Sequence, residues 1–301
     1  MDSLFPPTPR PYSPYAPTRK RSNQGSPRHR WPRADDDARP RTPAECEAEV
    51  ARIAQQLDRI VHGIPWGRVQ NDAWDGLCQF IFHLRTAQSV RQRAKEVAHQ
   101  RALDRDAFVQ YALRRWFCFW GARLAELLFV RHPNVEPGPP KDHEVDFRID
   151  GIPFDLKTSD VPRAFQGRLP DLLADPSQVA TWFYTHQSRE RRFHTANRLF
   201  LVLCDPEYPE EAWRLRADVV ALRTSIDAFL ANPRYLDLTI SDPAGNAHQV
   251  LTAVILVRPR PLPRQMRLDL APTGPPRSTP HRVDQPMREH QLPLLSDVDG
   301  A

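Results

Sequence analysis

Two aspartates and a lysine, Asp146, Asp155 and Lys157, are the residues of this chain whose types and spacing carry chemistry. They fall in the segment Glu144-Val145-Asp146-Phe147-Arg148-Ile149-Asp150-Gly151-Ile152-Pro153-Phe154-Asp155-Leu156-Lys157. Two carboxylates facing each other across a β-ribbon repel and destabilise it. A divalent cation between them removes that cost, because Mg²⁺ takes hard oxygen ligands and is commonly held by one or two carboxylates. Lys157, two residues beyond Asp155, shares its face and can reach a phosphate or an attacking water. Metal-assisted phosphodiester hydrolysis uses this combination: the ion polarises the phosphate and lowers the pKa of bound water, and the ammonium offsets charge in the transition state.

A tight hairpin must position these groups. Asp150-Gly151 between two alternating runs predicts a two-residue turn, since both residues tolerate positive φ. The pairs are then 149 with 152, 148 with 153, 147 with 154 and 146 with 155. Asp146 faces Asp155, Glu144 faces Lys157, and all four share one side. Val145, Phe147, Ile149, Ile152, Phe154 and Leu156 take the other. Pro153 falls at a pair that needs no N–H, which agrees with this register. Upstream, the run from Arg115 to Phe129 is apolar nearly all round and reads as a buried helix. Glu126 within it is costly to ionise without a metal or a hydrogen-bonding cation.

Asp146, followed after a hairpin by Asp155-Leu156-Lys157, resembles the PD-(D/E)xK nuclease superfamily, the restriction-endonuclease-like fold. The resemblance covers roughly 111–257. It implies an α/β fold with a three-layer core and a mixed central sheet. It also implies a Mg²⁺- or Mn²⁺-dependent nuclease, acting on DNA and leaving 5′-phosphates, in restriction, defence or repair. Asp146 and Asp155 would hold the metal, Glu126 from the preceding helix would assist, and Lys157 would position or activate water. Val145 stands where the superfamily's name has proline. Gln187 and Arg191, four apart on the helix after the hairpin, are candidates for orienting phosphate. His143 reads as structural. Trp182 and Tyr184 could stack on bases, but aromatic residues on an amphipathic helix more often belong to the core.

The chain as a whole reads as four parts. Residues 1–42 and 258–301 each hold nine of the 32 prolines and lack apolar periodicity, so both are expected to be disordered. Residues 43–103 read as a helical layer, and 104–257 as the nuclease-like core. Thr42-Pro43-Ala44-Glu45 is a capping box that opens a helix to about Val61. Further helices are expected near 70–84, 87–101, 104–129, 177–194 and 210–230. Strands are expected at 199–203, 235–240 and 249–257, and irregular loops at 133–140 and 158–176.

The tails carry the basic charge. Residues 1–42 hold nine Lys/Arg against four Asp/Glu and residues 258–301 hold seven against five, leaving 26 basic and 28 acidic residues in between. Arg19-Lys20-Arg21 and Arg28-His29-Arg30 would add salt-sensitive affinity for nucleic acid. In the second tail Gln291-Leu292-Pro293-Leu294-Leu295 resembles the pentapeptide by which bacterial replication and repair proteins dock on the polymerase sliding clamp. Gln291, Leu292, Leu294 and Leu295 would make that contact on a flexible tether. Cys46, Cys78, Cys118 and Cys204 form no Cys-x-x-Cys pair, which argues against a zinc site or a disulfide framework. No apolar run of eighteen residues and no signal-peptide h-region is present, so no membrane association and a cytoplasmic location are expected. A non-catalytic nucleic-acid-binding or adaptor protein on a nuclease-like scaffold is the alternative.

Overall fold

The computed structural model describes residues 42–66, 71–139, 145–166, 168–186, 196–242 and 244–260. Helix α1 (Pro43–Val61) begins where local chemistry demands it. Thr42 Oγ1 accepts from the Glu45 N–H at 3.2 Å, the Glu45 carboxylate accepts from the Thr42 N–H at 2.9 Å, and Pro43 takes the first helical position. The stretch expected as one helix over 70–84 is instead α2 (Asp72–Leu77) and a 3₁₀ turn (Gln79–Phe82). Gly76 weakens the helix. Two indoles of the next long helix then supply donors to the freed carbonyls: Trp116 Nε1 to Leu84 at 2.7 Å and Trp120 Nε1 to Ile81 at 3.3 Å.

Helix α3 (Ala87–Gln100) follows, and then α4 (Arg105–Val130), which Asp104 caps by accepting from the Ala107 N–H at 2.8 Å. The apolar circumference of α4 is explained by its surroundings, with α1 and α3 against one side and the sheet against the other in one continuous core. Burial raises the thiol pKa of all four cysteines, that of Cys78 to about 12, and Cys46 and Cys78 act as small apolar groups of that core.

Six strands form a mixed sheet in the order β1-β2-β3-β4-β6-β5: β1 (Val135–Pro137), β2 (Phe147–Ile149), β3 (Ile152–Asp160), β4 (Arg198–Leu203), β5 (Leu236–Ser241) and β6 (Ala247–Val257). The β3/β4 and β4/β6 pairs are parallel and the others antiparallel. Strand β1 occupies part of the segment expected as a loop. It is an edge strand, where Pro137 needs no ladder partner for its nitrogen. The segment after Lys157 is also more ordered than expected, with β3 running on to Asp160, a 3₁₀ turn (Arg163–Phe165) and α5 (Leu169–Ala174).

Helix α6 (Pro176–His186) leads towards β4, every residue of which is buried, as a central parallel strand requires. The helix expected over 210–230 breaks into a 3₁₀ segment (Pro209–Arg216) and α7 (Val219–Ala231). Asp218 caps the second piece through the Val220 and Ala221 N–H groups, at 3.1 and 2.9 Å.

Alternation assigns the two faces of the sheet. Phe154, Leu156, Leu199, Leu201, Leu251 and Ala253 join the core that holds α4 and α7. Phe200, Val202 and Val250 join the core that holds α5 and α6. Asp155 stands in register with Arg198 and, one strand further, Thr252, so these three share the α6 face. No helix among the described residues is long and apolar enough to cross a membrane.

Candidate active site

The hairpin turns where Asp-Gly placed it: Asp150 has φ of 50° and Gly151 of 81°, the two positive values of a type I′ turn. The pairs 149/152, 148/153 and 147/154 form as expected. The pair 146/155 does not. The ladder stops at Phe147, the chain bends at Asp146, and the Asp146 N–H donates to the Phe154 carbonyl at 2.9 Å. Across the same point β3 takes up its parallel partner, with the Asp155 N–H donating to the Asn197 carbonyl at 3.0 Å. The next N–H, on Leu156, therefore points to the edge that β2 has left. Asp146 Oδ2 accepts it at 2.8 Å. The bend thus turns Asp146 from the ladder opposite of Asp155 into a side-chain substitute for the missing strand.

Gly138 fixes that bend. Its N–H donates to the Asp146 carbonyl at 2.8 Å. A Cβ on it would overlap the Val145 and Asp146 backbone. Backbone cannot yield as a flexible side chain can, so Gly138→Ala should displace Asp146 and lower stability by about 1–3 kcal/mol. Chemical denaturation checks this, and an unchanged midpoint would show that the segment relaxes freely.

Asp155 is 6% exposed and both of its oxygens are engaged. Lys157 Nζ donates to Oδ1 at 2.6 Å and Arg198 Nε to Oδ2 at 3.1 Å. Lys157 therefore turns back onto its own strand; Glu144, its expected partner, lies outside the described residues. Arg198 went unnoticed in the sequence because the expected strand began at Leu199. It is 3% exposed, its guanidinium lies over the Tyr184 ring at 5.6 Å, and its carbonyl accepts from Thr252 Oγ1 at 2.7 Å. The Tyr184 hydroxyl donates to the Ala196 carbonyl at 3.0 Å, and burial pushes its phenol pKa up. Asn197 ties the neighbouring strands together: its amide donates to the Pro153 carbonyl at 3.3 Å and accepts from the Leu251 N–H at 2.9 Å. Trp182 stacks on His186, with ring centroids 4.7 Å apart, at the end of α6.

Glu126 finds its counter-cation one turn earlier on α4, where Arg123 donates to it at 2.6 Å. The helix also brings Glu126 to Asp146. Burial, then the negative charge of Glu126, then that of Asp155 push the Asp146 carboxyl up to about 6, against the opposing pull of the Leu156 N–H and Lys157. The fold thus gathers Glu126 from α4, Asp146 from the bend before β2, and Asp155 and Lys157 from β3 into a single electrostatic cluster. Gln187, Arg191, His143, Gln291, Leu292, Leu294 and Leu295 lie outside the described residues.

In kind, the donors suit a hard divalent cation: three carboxylates, one of them crowded by its neighbours' charge. As the side chains stand, no three His, Cys, Asp or Glu groups among the described residues are arranged to hold a metal. The ammonium of Lys157 and the guanidinium of Arg198 cover the oxygens of Asp155. No protein-family model, curated protein or solved structure matches the chain.

Proposed function

We propose that this protein is a divalent-metal-dependent nuclease with a restriction-endonuclease-like core of the PD-(D/E)xK type, hydrolysing phosphodiester bonds in DNA. One observation carries the reading: Glu126 on α4, Asp146 at the bend before β2, and the Asp155–Lys157 pair on β3 come together, with Asp146 on the Leu156 N–H between that pair at 2.8 Å and its carboxyl pushed up to about 6 by burial and by Glu126 and Asp155. Strongly perturbed carboxyls shared between neighbours are concentrated at functional sites.

Asp146 and Asp155 would hold Mg²⁺ or Mn²⁺, with Glu126 assisting. The ion would polarise the scissile phosphate and acidify a bound water. Lys157, 39% exposed on a flexible stem, can leave Asp155 and turn its charge to the phosphate as negative charge builds there. Asp146 keeps the edge of β3 in place through the Leu156 N–H, which ties the position of one carboxylate to the strand that carries the other. Water attack at phosphorus with departure of the 3′-oxygen would leave a 5′-phosphate.

The test is cleavage of circular and linear DNA with Mg²⁺ or Mn²⁺, alongside calorimetric titration of Mn²⁺ into the wild type and Asp155→Asn. We expect metal-dependent cleavage and weaker Mn²⁺ binding by the variant. The closed pairing of Asp155 with Lys157 and Arg198 favours the second reading, a non-catalytic nucleic-acid-binding or adaptor protein. DNA binding with neither cleavage nor Mn²⁺ uptake would decide for it.

A further inference from the structure

We infer that Arg198 is a fixed counter-cation of this site, which positions Asp155 and opposes occupation by a divalent ion until an anionic phosphodiester arrives. The inference rests on the nuclease reading. Its ground is the balance of charge and the unequal freedom of the charges. Among the described residues, Glu126, Asp146 and Asp155 face three cations: Arg123 on Glu126 at 2.6 Å, and Lys157 and Arg198 on Asp155 at 2.6 and 3.1 Å. From these residues a divalent ion entering the cluster meets almost no net negative charge.

The three cations differ in what they can do about that. Lys157 has a 39% exposed side chain and can swing into solvent, and Arg123 sits on a helix surface with 21% exposure. The Arg198 side chain is 4% exposed, lies over Tyr184, and stands on a backbone held by Thr252. A guanidinium does not lose its proton in a protein. Its charge therefore stays beside Asp155 whatever binds. A phosphodiester brings the negative charge that Arg198 has cancelled, so metal and nucleic acid should each strengthen the binding of the other, by the same factor. Arg198 acts through Asp155 and is a positioning residue, not a catalytic one.

The experiment is calorimetric titration of Mn²⁺ into the full chain, with and without a short phosphorothioate duplex, for wild type, Arg198→Met and Arg198→Lys. Wild type should bind Mn²⁺ roughly tenfold tighter or more with the duplex present, the scale set by one unit charge a few ångströms away in a partly screened interior. Arg198→Met should bind Mn²⁺ alone more tightly than wild type by a similar factor and lose most of the duplex effect. Arg198→Lys, which keeps a cation beside Asp155 but a titratable one, should retain part of the wild-type duplex effect. A purely structural arginine would lower the melting temperature of Arg198→Met without tightening Mn²⁺ binding, and that result overturns the inference. If Arg198→Met does not fold, equal wild-type affinity with and without the duplex overturns it instead. Mn²⁺ binding by no protein under either condition removes the nuclease reading as well, whereas binding insensitive to Arg198 removes this inference alone.

Discussion

Lys157→Met should lower DNA cleavage by roughly two to three orders of magnitude while leaving the fold intact. The two halves of this expectation have separate grounds. Lys157 is 39% exposed and pairs with Asp155, which keeps Arg198 on its other oxygen. The methionine therefore strands no buried charge, and methionine follows most of the lysine stem. The melting transition should stay within the surface range of about ±0.5 kcal/mol. Cleavage is different, because among the described residues neither neighbouring cation can replace a charge that would stabilise the transition state. Arg198 is too confined to reach outward, and Arg123 is committed to Glu126. Single-turnover cleavage and thermal melting of the same preparation give both readings. A variant that cuts at the wild-type rate, or one that unfolds, removes the catalytic assignment of Lys157.

What was legible in the sequence was local. The turn at Asp150-Gly151 and the capping box at Thr42 each depend on residues within a few positions of one another, and both form as their chemistry dictates. The long α4 was legible because a helix that is apolar all round must be covered on every side. The break in the 210–230 helix could have been read from Asp218, a capping residue within an otherwise continuous pattern.

Other features depend on contacts distant in sequence. Strand β1 has three residues, too few for a period, and exists because β2 offers it an edge. The bend at Asp146 reflects Gly138 pressing on its backbone and the Leu156 N–H left open by the change of strand partners. Simple alternation predicts a flat ladder there and places Asp146 opposite Asp155, where the chain instead bends out of the ladder. Arg198 was hidden for a related reason. A charged residue at the start of an apolar run reads as the solvent-facing end of a strand, and its burial depends on distant partners such as Asp155, 43 positions earlier, and Tyr184. Glu126 was legible as an anomaly, but its immediate partner is Arg123 on its own helix.

Asp146→Asn should make the metal-free protein more stable at neutral pH and erase a pH dependence that the wild type shows. The Asp146 carboxyl is pushed up to about 6 in the folded chain by burial and by Glu126 and Asp155, from an ordinary value of 3.8. Between those values the folded state holds a proton that the unfolded state has released. Stability from this group therefore falls as pH rises from about 4 to about 6, and stays low above that. Asparagine never ionises, and its amide oxygen can still accept the Leu156 N–H, so the strand edge is kept. The variant should match wild type near pH 4 and exceed it by about 1–2 kcal/mol at pH 7, a rise of a few degrees in melting temperature. Adding Mn²⁺ should reverse the order. An ion that binds only the folded wild type stabilises it by mass action, and the variant, with a ligand charge removed, should gain little. Thermal melts at pH 4, 5, 6 and 7, with and without Mn²⁺, separate the two effects. A higher melting temperature for Asp146→Asn at every pH, or an equal gain from Mn²⁺ in both proteins, would mean that Asp146 is crowded for structural reasons alone.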